Sequence, residues 1–143
     1  MKKIFISSDH AGYNLKELIK KKFSNKYKFE DLGTNGSKVS VNYPDFAHKA
    51  VSVYKEEKCE KIILICGSGN GIQMSANKHK DVRCALCWNT EIAELARLHN
   101  NANALALPAR FINIKEAVKI VETFLQTPFE EGRHKKRMDK INV

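Results

Sequence analysis

The sequence IILICGSGNGI, residues 62–72, carries the strongest structural signal in this chain. Its unbroken aliphatic start predicts a strand buried on both faces, as in parallel sheets. Glycine then occupies every second position, which leaves backbone N–H groups open to an anion that approaches closely. A helix from Ile72 to Lys78 would direct its positive amino-terminal end at the same point. The thiol of Cys66 lies beside these donors and could act as a base.

Strand and helix patterns alternate on both sides of this stretch. Short apolar segments predict five strands, at 3–8, 27–32, 61–66, 83–88 and 104–107. Helical spacing of apolar residues predicts six helices, at 13–24, 45–57, 72–78, 91–99, 114–126 and 130–141. Thr90 and Asn113 are the predicted N-caps of the fourth and fifth helices. The alternation predicts an α/β protein with one domain over residues 1–143, a Rossmann-like three-layer sandwich whose five-stranded parallel sheet is flanked by helices.

Charge and cysteine usage limit the class of protein. The net charge is +9, but the lysines are scattered and no aromatic-interleaved basic motif occurs, so a solvated basic surface is favoured over nucleic-acid binding. No apolar run reaches the ~18 residues of a membrane span, so we expect a cytoplasmic protein without a membrane segment.

Cys84 and Cys87 have the spacing of a redox or zinc motif. On a short strand they would face opposite sides of the sheet, and we expect buried, reduced thiols.

Candidate chemistry gathers where the first and third strands end. Ligands of open parallel sheets bind beyond the carboxyl ends of the strands, at the point where strand order reverses. A flavodoxin-like order, 2-1-3-4-5, makes these two strands neighbours there, so Asp9 and His10 would share a crevice with Cys66 and Ser68. Each residue alone has a plainer interpretation: Asp9 as a helix cap, His10 as a surface histidine, Cys66 as a small buried side chain. Their convergence around a glycine loop favours a site.

The glycine loop matches no nucleotide motif. Gly67, Gly69 and Gly71 have neither the spacing of the dinucleotide fingerprint nor the Gly-Lys-Ser/Thr ending of a Walker loop. Nucleotide binding is therefore not favoured.

The carboxyl-terminal region carries a second candidate group. Arg133 and Arg137 share a helix face, with His134 near its edge, and together they could clamp a phosphate. A solvated basic helix is the alternative.

His99 and Asn100 end the helix before the fifth strand, so they should lie at the amino end of the sheet. If they serve a site, it is that of a neighbouring subunit; a helix closed by His and Asn is the alternative.

Several short motifs, taken in order along the chain, match one pattern. They lie at 8–12, 43–45, 66–72, 76–78, Arg83, 99–100, Arg110 and 132–137. On these motifs the whole chain resembles the type B ribose-5-phosphate isomerases, a family shared with galactose-6-phosphate and allose-6-phosphate isomerases. The resemblance implies interconversion of ribose 5-phosphate and ribulose 5-phosphate through a cis-enediolate, in the pentose phosphate pathway, without metal or organic cofactor.

The resemblance also implies roles for residues of this chain. Cys66 would be the base, Ser68 would move protons between the substrate oxygens, and either Asp9 or His99 would open the furanose ring. The anion hole would consist of backbone N–H groups of Gly67, Ser68, Gly69, Asn70 and Gly71. The phosphate would be held by His10, Arg110, Arg133, His134 and Arg137. The sugar or its enediolate would contact Tyr43 and Asn100.

Departures from the family pattern and the remaining alternatives complete the prediction. Some members carry a glutamate base directly after the glycine loop; Ile72 stands there in this chain, so Cys66 is the only candidate. Family sites lie between subunits, which implies a homodimer or a dimer of dimers and agrees with the position of His99.

The closest alternative is an isomerase of a six-carbon sugar phosphate such as allose 6-phosphate. A non-catalytic phosphosugar sensor is a further alternative, although a binder needs no base.

Overall fold

The computed structural model describes residues 1–57 and 59–143, in which strands and helices alternate. The strands are β1 (Lys2–Ser8), β2 (Tyr27–Asp31), β3 (Lys61–Cys66), β4 (Cys84–Leu86) and β5 (Ala104–Pro108). The helices are α1 (Tyr13–Lys22), α2 (Tyr43–Glu56), α3 (Asn70–Ala76), α4 (Thr90–Leu98), α5 (Ile114–Gln126) and α6 (Arg133–Asp139). A short 3-10 helix, His10–Gly12, joins β1 to α1. The predicted elements are confirmed, and β3 matches its predicted bounds at both ends.

The five strands form one parallel sheet in the order β2-β1-β3-β5-β4. The predicted order 2-1-3-4-5 is therefore wrong in its last two places. β5 is buried along its whole length and lies inside the sheet, whereas β4 has three residues and forms the edge. Short strands suit an edge because an edge leaves backbone groups unpaired, and fully apolar strands need cover on both faces. The predicted neighbours β1 and β3 do pair.

Two apolar layers cover the faces of the sheet. Along β3, Ile63 and Ile65 pack with the buried residues of α1, α4 and α5. Ile62 and Leu64 alternate with them and pack on the other face, against α2 and α3. Cys66 ends the strand on this second face. The period of two along a strand thus accounts for the continuous aliphatic run, since both faces are covered.

Helix caps fix where the functional helices begin. The amide oxygen of Asn113 accepts a hydrogen bond from the Glu116 N–H at 2.8 Å, and the Glu116 carboxylate accepts one from the Asn113 N–H at 3.1 Å, so the predicted cap of α5 is confirmed. The predicted cap of α4 is wrong. Thr90 is the first helical residue, and the amide oxygen of Asn89 caps the helix by accepting a 2.9 Å hydrogen bond from the Ile92 N–H.

The cysteines outside the glycine loop are free thiols. Cys84 packs in the layer of α2 and α3 and Cys87 in the opposite layer, which confirms that they face opposite sides of the sheet. Burial raises the pKa of Cys87 to about 12 and that of the half-buried Cys59 to about 11, so both stay protonated at neutral pH. Over the described ranges, the helices are too short or too polar to cross a membrane.

Candidate active site

Cys66 lies at the carboxyl end of β3, where the glycine loop turns back over its side chain. The thiol is 4% exposed, and its Sγ accepts a hydrogen bond from the Gly69 N–H at 3.2 Å. Gly69 adopts a left-handed φ of +76°, and a Cβ there would lie 2.4 Å from Cδ1 of Leu86. Glycine is required at this position for both reasons. The loop therefore brings a backbone donor to a buried sulfur and starts α3 directly behind it.

The end of β5 braces the loop from the other side. The Ala109 N–H donates to the carbonyl oxygen of Cys66, and the Arg110 N–H donates to that of Gly67, both at 3.0 Å. The Arg110 side chain extends over the loop, since a Cβ on Gly67 would lie 3.2 Å from its Nη1. The interior position of β5, which the predicted strand order missed, is what brings Arg110 beside the glycine loop.

Asp9 leaves β1 beside the end of β3. Its N–H donates to the carbonyl oxygen of Ile65 at 3.2 Å, and its carboxylate accepts a hydrogen bond from the Gly12 N–H at 3.1 Å. Asp9 thus caps the short 3-10 helix that precedes α1, and not α1 itself as its plainer interpretation required, and it also lies at the predicted crevice. The hydroxyl of Ser8 is buried without a hydrogen-bond partner among the described residues.

His10 is tied to the loop that runs from 33 to 42. Its Nδ1 accepts a hydrogen bond from the Val41 N–H at 3.1 Å, which leaves Nε2 for other partners. Further back, the buried Lys16 ammonium donates to the Thr34 carbonyl at 2.7 Å and to Asp31 at 2.6 Å. Burial alone would raise the pKa of Asp31, but hydrogen bonds from lysines of α1 hold it below its ordinary value. A cavity of about 490 Å³ lies along this loop.

Tyr43 begins α2 and lies against the glycine loop. A Cβ on Gly71 would be 2.4 Å from Cε1 and 2.9 Å from the hydroxyl of Tyr43, so the ring edge rests on bare backbone. The side chain is 40% exposed, which keeps its hydroxyl available. Ser68 and Asn70 join this side, where the Ser68 hydroxyl accepts a 3.2 Å hydrogen bond from the Asn70 N–H. The structure thus brings the predicted residues of β1, β3, β5 and α2 together at one edge.

The other predicted residues lie elsewhere. His99 follows α4 and leads to the amino end of β5, and a five-residue strand spans roughly 15 Å, so it lies across the sheet from Cys66 in the same chain. Its ring stacks on that of His134, with centroids 4.1 Å apart and planes 12° apart. Asn100 is exposed and lines a cavity with Arg83.

Three arginines are among the residues predicted to hold the phosphate. Arg110 lies at the carboxyl-terminal end of the sheet beside Cys66, a region that we call the Cys66 edge. Arg133 and Arg137 lie on α6, and all three arginines are exposed. None of them pairs with a carboxylate within the described part of the chain. His134, on the same helix, is buried, and its ring stacks on that of His99.

Sequence reasoning missed two residues that shape these regions. Glu130 faces the rings of both His99 and His134, and its i,i+4 spacing to His134 was a readable signal. Lys16 is fully buried beside Asp31, next to an apolar stripe that gives no hint of a buried charge.

The fold and the Cys66 edge define an α/β protein with a ligand site beyond the carboxyl ends of a parallel sheet. Residues 4–141 match the model of the family described as Ribose/Galactose Isomerase, and the chain belongs to that family.

Solved structures agree with this assignment and confirm the α/β fold. A ribose 5-phosphate isomerase of Thermotoga maritima has 46% identity and a TM-score of 0.95, covering 99% of this chain and 97% of that chain. The ribose-5-phosphate isomerase B of Clostridium thermocellum has 44% identity and a TM-score of 0.93, covering 97% and 94%. The Mycoplasma genitalium ribose-5-phosphate isomerase B, solved with bound ribulose-5-phosphate, has 45% identity and a TM-score of 0.92, covering 97% and 93%.

Proposed function

We propose that this chain is an isomerase that interconverts D-ribose 5-phosphate and D-ribulose 5-phosphate through a cis-enediolate, as one catalytic domain of a cytoplasmic homodimer or dimer of dimers. The proposal rests on family membership and on the structures of ribose-5-phosphate isomerases that share the fold. The reaction needs only proton movements, which the residues described above can carry out without a cofactor.

The observation that carries the proposal is the setting of Cys66. Its Sγ accepts the Gly69 N–H at 3.2 Å, and a hydrogen bond of this kind stabilises negative charge on sulfur. The same loop offers further backbone N–H groups at the start of α3, where an oxyanion is stabilised by preorganised donors. A base and an anion hole thus occupy one edge, which is the arrangement required for removing a proton next to a carbonyl.

The chemical step follows from this arrangement. The Cys66 thiolate removes the proton from C2 of the open-chain aldose, and the C–H electrons form the C1–C2 double bond. The electrons of the carbonyl bond move to O1, whose negative charge the N–H groups of residues 67–71 stabilise. Ser68 relays the proton from O2 to O1. The thiol then returns its proton to C1, and the carbonyl forms at C2, so no electrons enter or leave.

Substrate binding requires groups from both edges of the sheet. We assign His10, Tyr43 and Arg110 to the same chain as Cys66, because they share its edge. His99, Asn100, Arg133, His134 and Arg137 would come from the partner subunit. Of the two ring-opening candidates, Asp9 lies at the Cys66 edge and His99 across the sheet, so Asp9 would act within the chain and His99 between chains.

One observation favours a second candidate, an isomerase of a six-carbon sugar phosphate. The cavity of about 490 Å³ is lined by Tyr13, residues 34–39 and Val41, and the Val41 N–H contacts His10. Space beside His10 would admit the phosphate of a longer sugar.

The test is conversion of ribose 5-phosphate with EDTA present, in wild type, Cys66→Ala and the matched control Cys59→Ala. We expect wild-type turnover, a loss of at least about 10³-fold in Cys66→Ala and little change in Cys59→Ala. Near-normal activity of folded Cys66→Ala would contradict the assignment of the base. Faster turnover of allose 6-phosphate than of ribose 5-phosphate would select the six-carbon candidate.

A further inference from the structure

We propose that His99, Glu130 and His134 bind a divalent transition-metal ion such as Zn²⁺, and that the bound ion inhibits the isomerase. The inhibitory part rests on the proposed function, because it assigns His99 and His134 to substrate handling. The binding part depends only on the arrangement of these three side chains, which we call the histidine cluster.

The three ligand atoms already converge. Nε2 of His99 lies 3.9 Å from one carboxylate oxygen of Glu130, and Nε2 of His134 lies 3.8 Å from the other. The three donor atoms lie within 4.8 Å of one another. Zinc bonds to imidazole and carboxylate are about 2.0–2.2 Å long, so ligand atoms around a tetrahedral ion are about 3.4 Å apart. His99 and Glu130 are 38% and 52% exposed, which lets these two side chains turn and close the remaining distance.

His134 provides an independent observation. Its side chain is 7% exposed, and its Nε2 is buried with no hydrogen-bond partner among the described residues. Buried polar atoms are nearly always partnered, so this nitrogen requires an explanation. A metal ion between Nε2 and Glu130 supplies the missing partner.

The donor set selects the type of ion. Two imidazoles and one carboxylate are a common set for zinc with an open fourth position, whereas Mg²⁺ and Ca²⁺ prefer oxygen ligands. The backbone holds the parts together, since the Glu130 N–H donates to the Leu98 carbonyl at 3.0 Å, next to His99. The backbone of Glu130 is therefore anchored beside His99, and only its side chain has to turn.

Occupation of the cluster would remove two groups from the reaction. A metal-bound His99 cannot exchange a proton with the sugar, and a metal-bound His134 cannot contact the phosphate. In the proposed dimer, the ion would act on the site that contains the partner's thiol. The enzyme would then be inhibited by Zn²⁺ and restored by EDTA, although its reaction needs no metal.

Direct binding is measured by calorimetric titration of metal-free full-length protein with Zn²⁺, and by the visible absorption of bound Co²⁺. Two other groups could hold zinc: Cys66, and the pair His48 and His79, whose ring nitrogens are 2.7 Å apart. The titration is therefore repeated in Cys66→Ala and in His79→Gln. We expect one ion per chain with unchanged affinity in both controls, and at least tenfold weaker binding in Glu130→Gln. Binding that is lost in a control, or that survives unchanged in Glu130→Gln, overturns the proposal.

Inhibition is measured separately, with Glu131→Gln as the matched control. We have placed no catalytic contact on Glu130, so Glu130→Gln should keep wild-type activity without metal. It should need at least tenfold more Zn²⁺ for half-inhibition, whereas Glu131→Gln should respond as wild type does. Equal inhibition of all three proteins overturns the regulatory part. Zinc binding by a protein that converts no ribose 5-phosphate would refute the proposed function and leave the metal site standing.

Discussion

The Cys66 edge and the histidine cluster are built in opposite ways. At the Cys66 edge, the donors are backbone N–H groups, and the thiol is held between two buried strands. In the histidine cluster the functional groups are side chains, and both His99 and Glu130 are substantially exposed. The comparison separates a rigid half, which suits the proposed chemical step, from an adaptable half, which suits the proposed substrate binding.

Topology keeps these two halves apart within one chain. All strands are parallel, so Cys66 at the end of β3 and His99 before the start of β5 lie at opposite edges of the sheet. Cys66 and His99 of one chain could meet only if the central strands of the sheet unfolded. A second copy that packs its histidine cluster against the Cys66 edge needs no such change, and two-fold symmetry would complete both sites at once.

The largest effect expected is complementation between two inactive variants. Cys66→Ala and His99→Ala should each lose nearly all turnover, because each lacks one half of every site. Mixed after reversible dissociation, they form hybrids that have one intact site and one doubly altered site. Half of the dimers are hybrids under random exchange, so activity should recover to roughly a quarter of wild type.

The control for this experiment pairs alterations from the same half. Cys66→Ala mixed with Asp9→Ala should recover activity only if Asp9 and Cys66 serve different sites, and we expect no recovery. Recovery in this control, or its absence in the first mixture although hybrids form, would contradict a site shared between subunits.

The next effect concerns the rigid half. In Gly71→Ala the new methyl group would lie 2.4 Å from the Tyr43 ring and displace it. A misplacement of about 1 Å in a site can lower turnover by about 10²-fold, and we expect kcat/KM to fall by 10- to 100-fold. The melting temperature should change little, because Tyr43 is exposed enough to move aside.

Gly36→Ala is the matched control for Gly71→Ala. A Cβ at Gly36 meets nothing within 4 Å, so activity should stay within about twofold of wild type. Full activity of Gly71→Ala would show that the ring position of Tyr43 does not matter, and a large loss of stability would show that the loop itself is disrupted.

The adaptable half should respond differently. Arg137→Ala should raise KM about tenfold with a smaller change in kcat, since a charge-assisted hydrogen bond to phosphate contributes about 1.5–3 kcal/mol mainly to binding. Steady-state kinetics measure both constants. Lys136→Ala, also exposed on α6, should change KM less than twofold. An unchanged KM in Arg137→Ala would exclude α6 from phosphate binding.

Sequence predicts the features of these halves that depend on neighbouring residues, and it does not predict those that depend on contacts between distant parts of the chain. β3 was predicted to the residue because its aliphatic run and the glycines after it are local features. The order of β4 and β5 was not, because it depends on which strand is covered on both faces, a property of the assembled sheet. The burial of His134 depends in the same way on its stacking with His99, 35 positions earlier in the chain by their numbers.

The smallest effect expected lies in the cap that positions α4. The amide oxygen of Asn89 accepts the Ile92 N–H at 2.9 Å, so Asn89→Ala should lower the free energy of unfolding by about 1 kcal/mol. Thr90→Ala, at the position that the sequence pattern favoured as the cap, should change it by less than about 0.5 kcal/mol. Urea unfolding at one fixed protein concentration gives both values, since assembly makes stability depend on concentration.

If Thr90→Ala proved the more costly change, the cap would be the predicted one, and α4 would begin one residue later than the structure places it. A normal KM in Asn89→Ala below its unfolding transition would further show that the cap contributes to stability and not to the position of His99 at the far end of the helix.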